Sequence, residues 1–152
     1  MYNARIIVTN DGVDLLLFIG GQHSSNDAHN NHFQVYNVSS GTFHRGPDLA
    51  FNVSAAMCAF SATLRRVYTF GGHGNTSRSA AVSHLDSKQL LNVSAQWKDG
   101  QTRLSVGRWG GFAVALYFAE TDQEFIYIVC RSHMLSYMYS TSYTMYHIIN
   151  NT

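Results

Sequence analysis

The 152-residue chain is about the length of one domain, and its charge is sparse and balanced. Only 12% of its residues are Asp, Glu, Lys or Arg, and ten basic side chains against nine acidic ones leave a net charge of +1. This balance provides no broad basic surface, which argues against nucleic acid and anionic membranes as partners. Hydrophobic residues make up 45% of the chain, which is typical of a globular protein and excludes disordered, collagen-like and disulfide-scaffold classes.

Two apolar runs, at residues 4–9 and 13–21, begin the chain and flank a turn with the sequence Asn-Asp-Gly at residues 10–12. Such a turn between apolar runs is typical of a β-hairpin. The same layout recurs at residues 55–72 and again at residues 112–130. Because these segments begin 51 and 57 residues apart, the chain is organised in repeats of about fifty residues.

Each full repeat predicts four antiparallel β-strands. The apolar runs are rich in aromatic and β-branched residues and are nearly continuous, as expected for strands that are buried on both faces. Two weaker strands follow in the first repeat, at about residues 33–38 and 42–49, and two in the second, at about residues 80–85 and 94–98. Four short strands in fifty residues is the content of one blade of a β-propeller.

Glycine doublets close the second predicted strand of the first two repeats, and aromatic residues occupy the weaker strands. Adjacent glycines permit positive φ and let another backbone approach without meeting a Cβ atom. Aromatic side chains on neighbouring strands can pack across one blade. The residues of this repeated pattern are Gly20, Gly21, Gly71, Gly72, Tyr36, Phe43 and Trp97.

In these residues the chain resembles the kelch repeat family. The two doublets match the glycine pair that closes the family's second strand. Tyr36-Asn37 is similar to the family's third-strand Tyr-Asp pair, and Phe43 follows seven residues after Tyr36, where the family usually has Trp. In the second repeat Trp97 stands in the Trp position, five residues later than the family pattern predicts.

The resemblance implies an all-β fold, a partial kelch-type β-propeller of about two and a half four-stranded antiparallel blades. Blade 1 spans about residues 4–54, blade 2 about residues 55–111, and a partial blade 3 about residues 112–152, in which Val129-Cys130 replaces the doublet. Propellers have about four to eight blades. We therefore expect residues 1–152 to form an incomplete propeller, either a fragment of a longer protein or a chain that self-associates through exposed blade faces.

The resemblance also implies a non-catalytic scaffold that binds a protein partner through loops on one face. Antiparallel order puts the loop before each first strand and the loop after each second strand at the same end. Before the third repeat, Arg108 and Trp109 precede two glycines, similar to a family motif whose arginine holds acidic peptides in some members. The matching position before the second repeat is Phe51. A guanidinium and an indole are favoured at binding sites, so Arg108 and Trp109 are candidate binding residues, with a structural, blade-bridging Arg108 as the alternative.

Histidines follow the doublet slots of all three repeats, at His23, His73 and His133. We expect His23 and His73 to join the binding site on the same rim. Their offsets from the slots differ by one residue each and blades radiate outward, so these histidines are not expected to converge on one Zn²⁺. A closer pair, His29 and His32, lacks a third ligand, and the sequence therefore predicts no metal and no cofactor.

No motif of a catalytic class is present in the sequence. It contains no Gly-x-Ser-x-Gly, P-loop or His-Glu-x-x-His pattern, so we predict no enzymatic activity and no catalytic residues. A minority of kelch proteins are copper-radical oxidases or handle sugars. The resemblance therefore leaves one alternative, a piece of a secreted galactose-oxidase-like enzyme or of a carbohydrate-binding propeller.

The sequence leaves the cellular compartment open. The N-terminus lacks the apolar core of a signal peptide, which predicts the cytosol, and no run reaches the ~18 apolar residues of a membrane span. Cys58 and Cys130 are too far apart for a CxxC redox pair and are expected to be packed thiols. Five N-glycosylation sequons suggest a secretory origin, although Asn-rich turns also match this motif by chance. The sequons begin at Asn37, Asn52, Asn75, Asn92 and Asn150.

Overall fold

Three antiparallel groups of β-strands make up the computed structural model, which describes residues 4–10, 12–22, 28–74, 77–100, 103–132 and 140–147. No described residue belongs to a helix with the length and apolar character needed to cross a membrane. In chain order the elements are β1 (Ala4–Asn10), β2 (Val13–Gln22), β3 (His29–Asn37), β4 (Thr42–Arg45), β5 (Met57–Ser61), β6 (Arg66–Phe70), β7 (Val82–Asp86), the 3₁₀ helix η1 (Ser87–Gln89), β8 (Lys98–Asp99), β9 (Gly111–Phe118), β10 (Gln123–Ser132) and β11 (Ser140–His147).

Each strand pairs with its neighbour in the chain, which produces three meanders. Sheet 1 contains β1 to β4, sheet 2 contains β5 to β8, and sheet 3 contains β9 to β11. Short turns allow this order: Gly12 joins β1 to β2 at a φ of +79°, and Arg65 and Asp122 end the β5–β6 and β9–β10 turns at φ values of +52° and +53°. The arrangement confirms the predicted all-β class with antiparallel strands, and the described sheets do not close on themselves.

Sheet 2 lies between the other two sheets, because its first strand, β5, contacts both β1 and β9. Successive side chains of a strand point to opposite faces, so β5, β6 and β7 each contribute to two cores. The core between sheets 1 and 2 includes Val8, Leu15, Leu17, Ile19, Phe33, Val35, Cys58, Val67 and Trp97. The core between sheets 2 and 3 includes Met57, Ala59, Tyr68, Phe70, Val82, Ile126, Ile128 and Cys130.

Burial on both faces, predicted for all the apolar strands, holds for sheet 2 but is wrong for the outer sheets. In β5, three consecutive side chains, those of Met57, Cys58 and Ala59, are buried. In β2, Leu15 and Leu17 are buried while Leu16 between them is partly exposed. Each outer sheet packs against a described neighbour on one face, so its strands keep the alternating burial of a one-sided sheet.

The fourth strands of sheets 1 and 2 are shorter than predicted. β4 ends at Arg45 instead of residue 49, because Pro47 has no N–H to donate to a ladder. β8 is limited to Lys98–Asp99 because a turn precedes it. In that turn the N–H of Ala95 donates a 2.9 Å hydrogen bond to the carbonyl of Asn92, which removes this segment from the predicted strand.

A buried carboxylate joins sheets 2 and 3. Glu124 in β10 is 5% exposed, and it accepts a 2.5 Å hydrogen bond from the hydroxyl of Ser61. It also accepts a 3.1 Å hydrogen bond from the backbone N–H of Ala62. Both donors lie at the hairpin turn between β5 and β6, so Glu124 satisfies polar groups of the neighbouring sheet and has a structural role.

Candidate functional site

Each glycine doublet is approached by the backbone of the loop that leads into the next sheet. The first glycine of each doublet has a φ of +62° or +63°, and a Cβ atom there would overlap a carbonyl oxygen of that loop. The N–H of Gly21 donates a 2.8 Å hydrogen bond to the carbonyl of Val53, and the N–H of Gly72 donates a 2.7 Å hydrogen bond to that of Arg108. The doublets therefore tie consecutive sheets together at one end, which we call the loop face.

This repeated contact identifies Val53 as the residue of the earlier loop that matches Arg108. Two residues further on, Ala55 and Gly110 both have positive φ, at +50° and +66°, so the two loops keep the same register. The predicted match between Phe51 and Arg108 is therefore wrong by two residues. The reason is that the doublet contact, and not the spacing along the sequence, sets the alignment of the loops.

The third repeat has no glycine doublet, and its slot lies one residue earlier than predicted. Arg65 and Asp122 occupy the same position in the hairpin turns of sheets 2 and 3, each with positive φ. Counting from these turns, Ile128-Val129 match the doublet, whereas the sequence predicts Val129-Cys130. At this slot β10 remains a regular strand and stays paired with β11.

Four side chains meet on the loop face beside the second doublet. The Nε2 atom of His29 lies 3.4 Å from Nδ1 of His73, and the centroids of the two rings are 5.2 Å apart. The indole of Trp109 packs edge-on against His73 at a centroid distance of 5.9 Å. The hydroxyl of Ser54 lies 2.8 Å from Nδ1 of His29. We call His29, Ser54, His73 and Trp109 the loop-face cluster.

Backbone pairing holds the loop-face cluster in place. Ser54 and His73 exchange two backbone hydrogen bonds of 2.9 and 2.8 Å, which fix the loop before sheet 2 against the loop after β6. Ser54 is 4% exposed, while the two imidazoles and the indole are half-buried. The exposed part of the cluster therefore combines one large apolar ring with Nε2 of His73, the imidazole nitrogen that the contacts within the cluster do not use.

Arg108 bridges sheets 2 and 3 at the edge of the loop-face cluster. Its Nη1 atom donates a 3.2 Å hydrogen bond to Sγ of Cys130, and its carbonyl accepts the hydrogen bond from Gly72. These are contacts of the kind that the blade-bridging alternative for Arg108 requires. They also hold the next residue, Trp109, at the position where it meets His73.

The sequence also singles out His23, His32 and His133. His23 and His133 lie outside the described residues. His29 and His32 separate, because the first joins the loop-face cluster and the Nδ1 atom of the second lies 3.5 Å from a carboxylate oxygen of Asp48. Within the described ranges, no group of three or more His, Cys, Asp and Glu side chains could hold a metal ion.

The aromatic repeat residues pack differently in the two sheets. In sheet 1, Phe43 packs against Tyr36 and Phe18 on the face away from sheet 2, at centroid distances of 4.7 and 5.8 Å. In sheet 2, Trp97 is buried and packs edge-on against Phe33 of sheet 1 at 5.5 Å. Tyr36 and Phe43 thus pack within one sheet, whereas Trp97 packs between two sheets.

Sequence reasoning did not assign His29 and Ser54 to the binding site: it considered His29 only as a pair with His32, and it did not name Ser54. His29 begins β3 in a polar stretch that lacks the alternating pattern of a strand. The position of Ser54 depends on its bridge to His73, and these two residues come from different repeats. Nothing in the local sequence marks either residue as part of the site.

No protein-family model and no curated protein matches this chain. Its function must therefore be inferred from its own contacts. Two features bear on it, the repeated tie between sheets and the loop-face cluster that lies beside this tie.

Proposed function

We propose that this chain is part of a kelch-like β-propeller that serves as a non-catalytic scaffold for protein interactions. The observation that carries the proposal is the contact between a glycine doublet and the next loop, made by Gly21 with Val53 and repeated by Gly72 with Arg108. A contact repeated in one geometry produces the same step from sheet to sheet, as between the blades of a propeller. The adjacency of β1, β5 and β9 supports the same arrangement, since blades repeat radially around one axis.

An apolar face of sheet 3 supports the addition of a further blade. By the turn register, Phe125 and Tyr127 match Tyr68 and Phe70, which are buried in the core between sheets 2 and 3. Among the described residues, no sheet packs on the face that carries Phe125 and Tyr127. We call it the open face, and its residues are Phe112, Val114, Leu116, Phe118, Phe125, Tyr127 and Val129.

The open face is large and apolar enough to require a partner. Phe112 is 59% exposed and Leu116 is 43% exposed, and the residues next to them on this face are also apolar. Contiguous apolar patches of this kind mark interaction surfaces. Because the matching face of sheet 2 packs against a sheet, we propose that another sheet of the same type covers the open face.

The loop-face cluster is the proposed site for a protein partner. Trp109 supplies a rigid apolar surface, and Nε2 of His73, the imidazole nitrogen that takes no part in the contacts within the cluster, supplies a hydrogen-bonding group beside it. Aromatic anchors within a polar rim are favoured at protein interfaces. Imidazole N–H groups donate to carboxylates, so an acidic peptide with an apolar side chain suits the cluster best.

Selection of a displayed random peptide library on the purified chain tests this proposal. We expect enrichment of acidic peptides with an aromatic or aliphatic anchor. Trp109→Ala and His73→Ala should each weaken binding of the selected peptides about tenfold or more, because each removes one side of the contact. Val106→Ala is the matched control, since Val106 is 61% exposed in the same loop and outside the cluster.

Two outcomes would contradict the proposed site. One is a selection that enriches no peptide family over an empty support. The other is a set of peptides that bind the native chain, Trp109→Ala and His73→Ala with equal affinity.

A further inference from the structure

Sheet 2 carries a groove that the proposed function does not use. The groove is formed by the outer part of the sheet, around β7, η1 and β8, and its volume is about 830 Å³. Lys88 and Lys98, the two lysines of the whole chain, both line this groove. A large share of the chain's limited positive charge is therefore concentrated there. The charged and titratable residues that line the groove are Arg66, His84, Asp86, Lys88, Lys98 and Asp99.

Strand register puts four of these side chains on one face of sheet 2. Lys98 pairs with His84 across β8 and β7, and Arg66 pairs with Asp86 across β6 and β7. Paired residues share a face, as do residues two apart in one strand, so Arg66, His84, Asp86 and Lys98 lie on the same side. One carboxylate oxygen of Asp86 accepts a 2.9 Å hydrogen bond from the backbone N–H of Lys88 at the start of η1. No ion pair in the described part of the chain joins the groove cations to its carboxylates.

The pKa of His84 depends on the charges that surround its imidazole in the groove. Burial lowers the pKa of His84 below its usual value, and the positive charges of Arg66 and Lys98 lower it further. Asp86 and Asp99 line the same groove and do not reverse this effect. His84 is therefore neutral at neutral pH, beside two cations that leave a positive potential around it.

We propose that this groove binds a small ligand through an oxyanion, a phosphate, sulfate or carboxylate group held between Arg66 and Lys98. The planar guanidinium offers two parallel N–H donors to such a group, and the ammonium adds a compact charge. Lys88, which also lines the groove, supplies a third positive charge. An anion beside His84 favours the protonated imidazole, so anion binding and protonation of His84 strengthen each other.

A sulfate titration of the full chain, followed by NMR of the His84 imidazole, tests this proposal. Sulfate is the first probe because its charge is constant across the pH range in which histidine titrates. At saturating sulfate, with ionic strength held constant by chloride, the pKa of His84 should rise by about half a unit or more. Parallel titrations with phosphate and acetate then rank the three oxyanion classes.

Charge-removing variants locate the oxyanion. Arg66→Gln and Lys98→Gln should each weaken sulfate binding about tenfold. Arg103→Gln is the matched control, because Arg103 is exposed and lies outside the groove. In the absence of sulfate, Arg66→Gln and Lys98→Gln should also raise the pKa of His84, since each removes a charge that opposes its protonation.

The backbone NMR spectrum of each variant reports whether it folds, and one folded variant is sufficient for the comparison. An unchanged His84 signal up to about 50 mM sulfate overturns the proposal. Equal sulfate affinity of the native chain and of the folded charge variants overturns it as well. Neither outcome affects the proposed binding site at the loop face.

Discussion

The indole N–H of Trp97 donates a 2.9 Å hydrogen bond to the carbonyl oxygen of Pro47, which links sheet 2 to the loop after β4. The same indole packs edge-on against Phe33 of sheet 1, and Trp97 is only 9% exposed. One side chain therefore contributes both a hydrogen bond and apolar contact to the interface between two repeats.

Trp97→Phe should lower the free energy of unfolding by about 1–3 kcal/mol, because it leaves the carbonyl of Pro47 without its buried donor. Trp97→Ala should lower the free energy of unfolding by about 3–5 kcal/mol, since it also leaves a cavity in the core between sheets 1 and 2. Urea unfolding measures both values. Trp109→Phe is the control, because Trp109 is half-buried and keeps an aromatic ring in that variant. Equal losses for Trp97→Phe and Trp109→Phe would contradict the role of the hydrogen bond.

Gly71→Ala should destabilise the fold more than Gly110→Ala, although the two glycines have nearly equal φ values of +63° and +66°. A Cβ atom at Gly71 would overlap the carbonyl of Arg108, whereas one at Gly110 meets nothing within 4 Å. We expect a loss of about 1–2 kcal/mol for Gly110→Ala from backbone strain alone. Gly71→Ala should lose about 2 kcal/mol more in the same unfolding measurement. If the two variants are equally stable, the close backbone approach contributes nothing.

Burial raises the pKa of the Cys58 thiol to about 12. Because the thiolate is the nucleophile, iodoacetamide near pH 8.5 should modify native Cys58 about a hundredfold or more slowly than the urea-unfolded chain. Mass spectrometry of the alkylated peptide measures the two rates. Equal rates in native and unfolded protein would show that the thiol is accessible and ionised.

The same pKa predicts how stability depends on alkaline pH. A pKa that is higher in the folded state contributes stability fully below the unfolded-state value of about 8.5. That contribution is lost as the pH rises through the folded-state value of about 12. Cys58→Ala should therefore remove part of the alkaline fall in the free energy of unfolding, whereas an unchanged pH profile would argue against the raised pKa.

The open face predicts that the isolated chain associates with itself. Sedimentation velocity should show a mass that increases with concentration for the native protein. Leu116→Lys should shift the protein toward the monomer, because it places an ammonium group in an apolar contact. Val93→Lys is the control, since Val93 is 61% exposed outside the open face. A native chain that is monomeric at every concentration, or a Leu116→Lys protein that associates as the native one does, would contradict this prediction.

Local sequence patterns were sufficient for most of the strands and turns. The tight turn predicted between the first two strands is present, since Asn10 pairs with Val13 and Gly12 has a φ of +79°. The offset of 57 residues between the second and third repeats equals the separation of Arg65 and Asp122, which end equivalent turns. These features were predictable because turn chemistry and strand propensity act among residues a few positions apart.

The candidate site was predictable only in part. His73 and Trp109 could be selected because each has a local marker, a glycine doublet before the first and an arginine before the second. His29 and Ser54 could not, since their contacts with each other and with His73 join residues 25 and 44 positions apart.

Strand positions and apolar faces follow from the chain itself, because alternation and turn residues act locally. The way in which the three sheets pack against one another does not follow from local sequence. The sheet packing alone decides that Trp97 reaches Pro47, 50 residues away, and that Arg108 reaches Cys130, 22 residues away. The distances between such residues depend on the stacking of whole sheets, and no short segment of sequence contains that information.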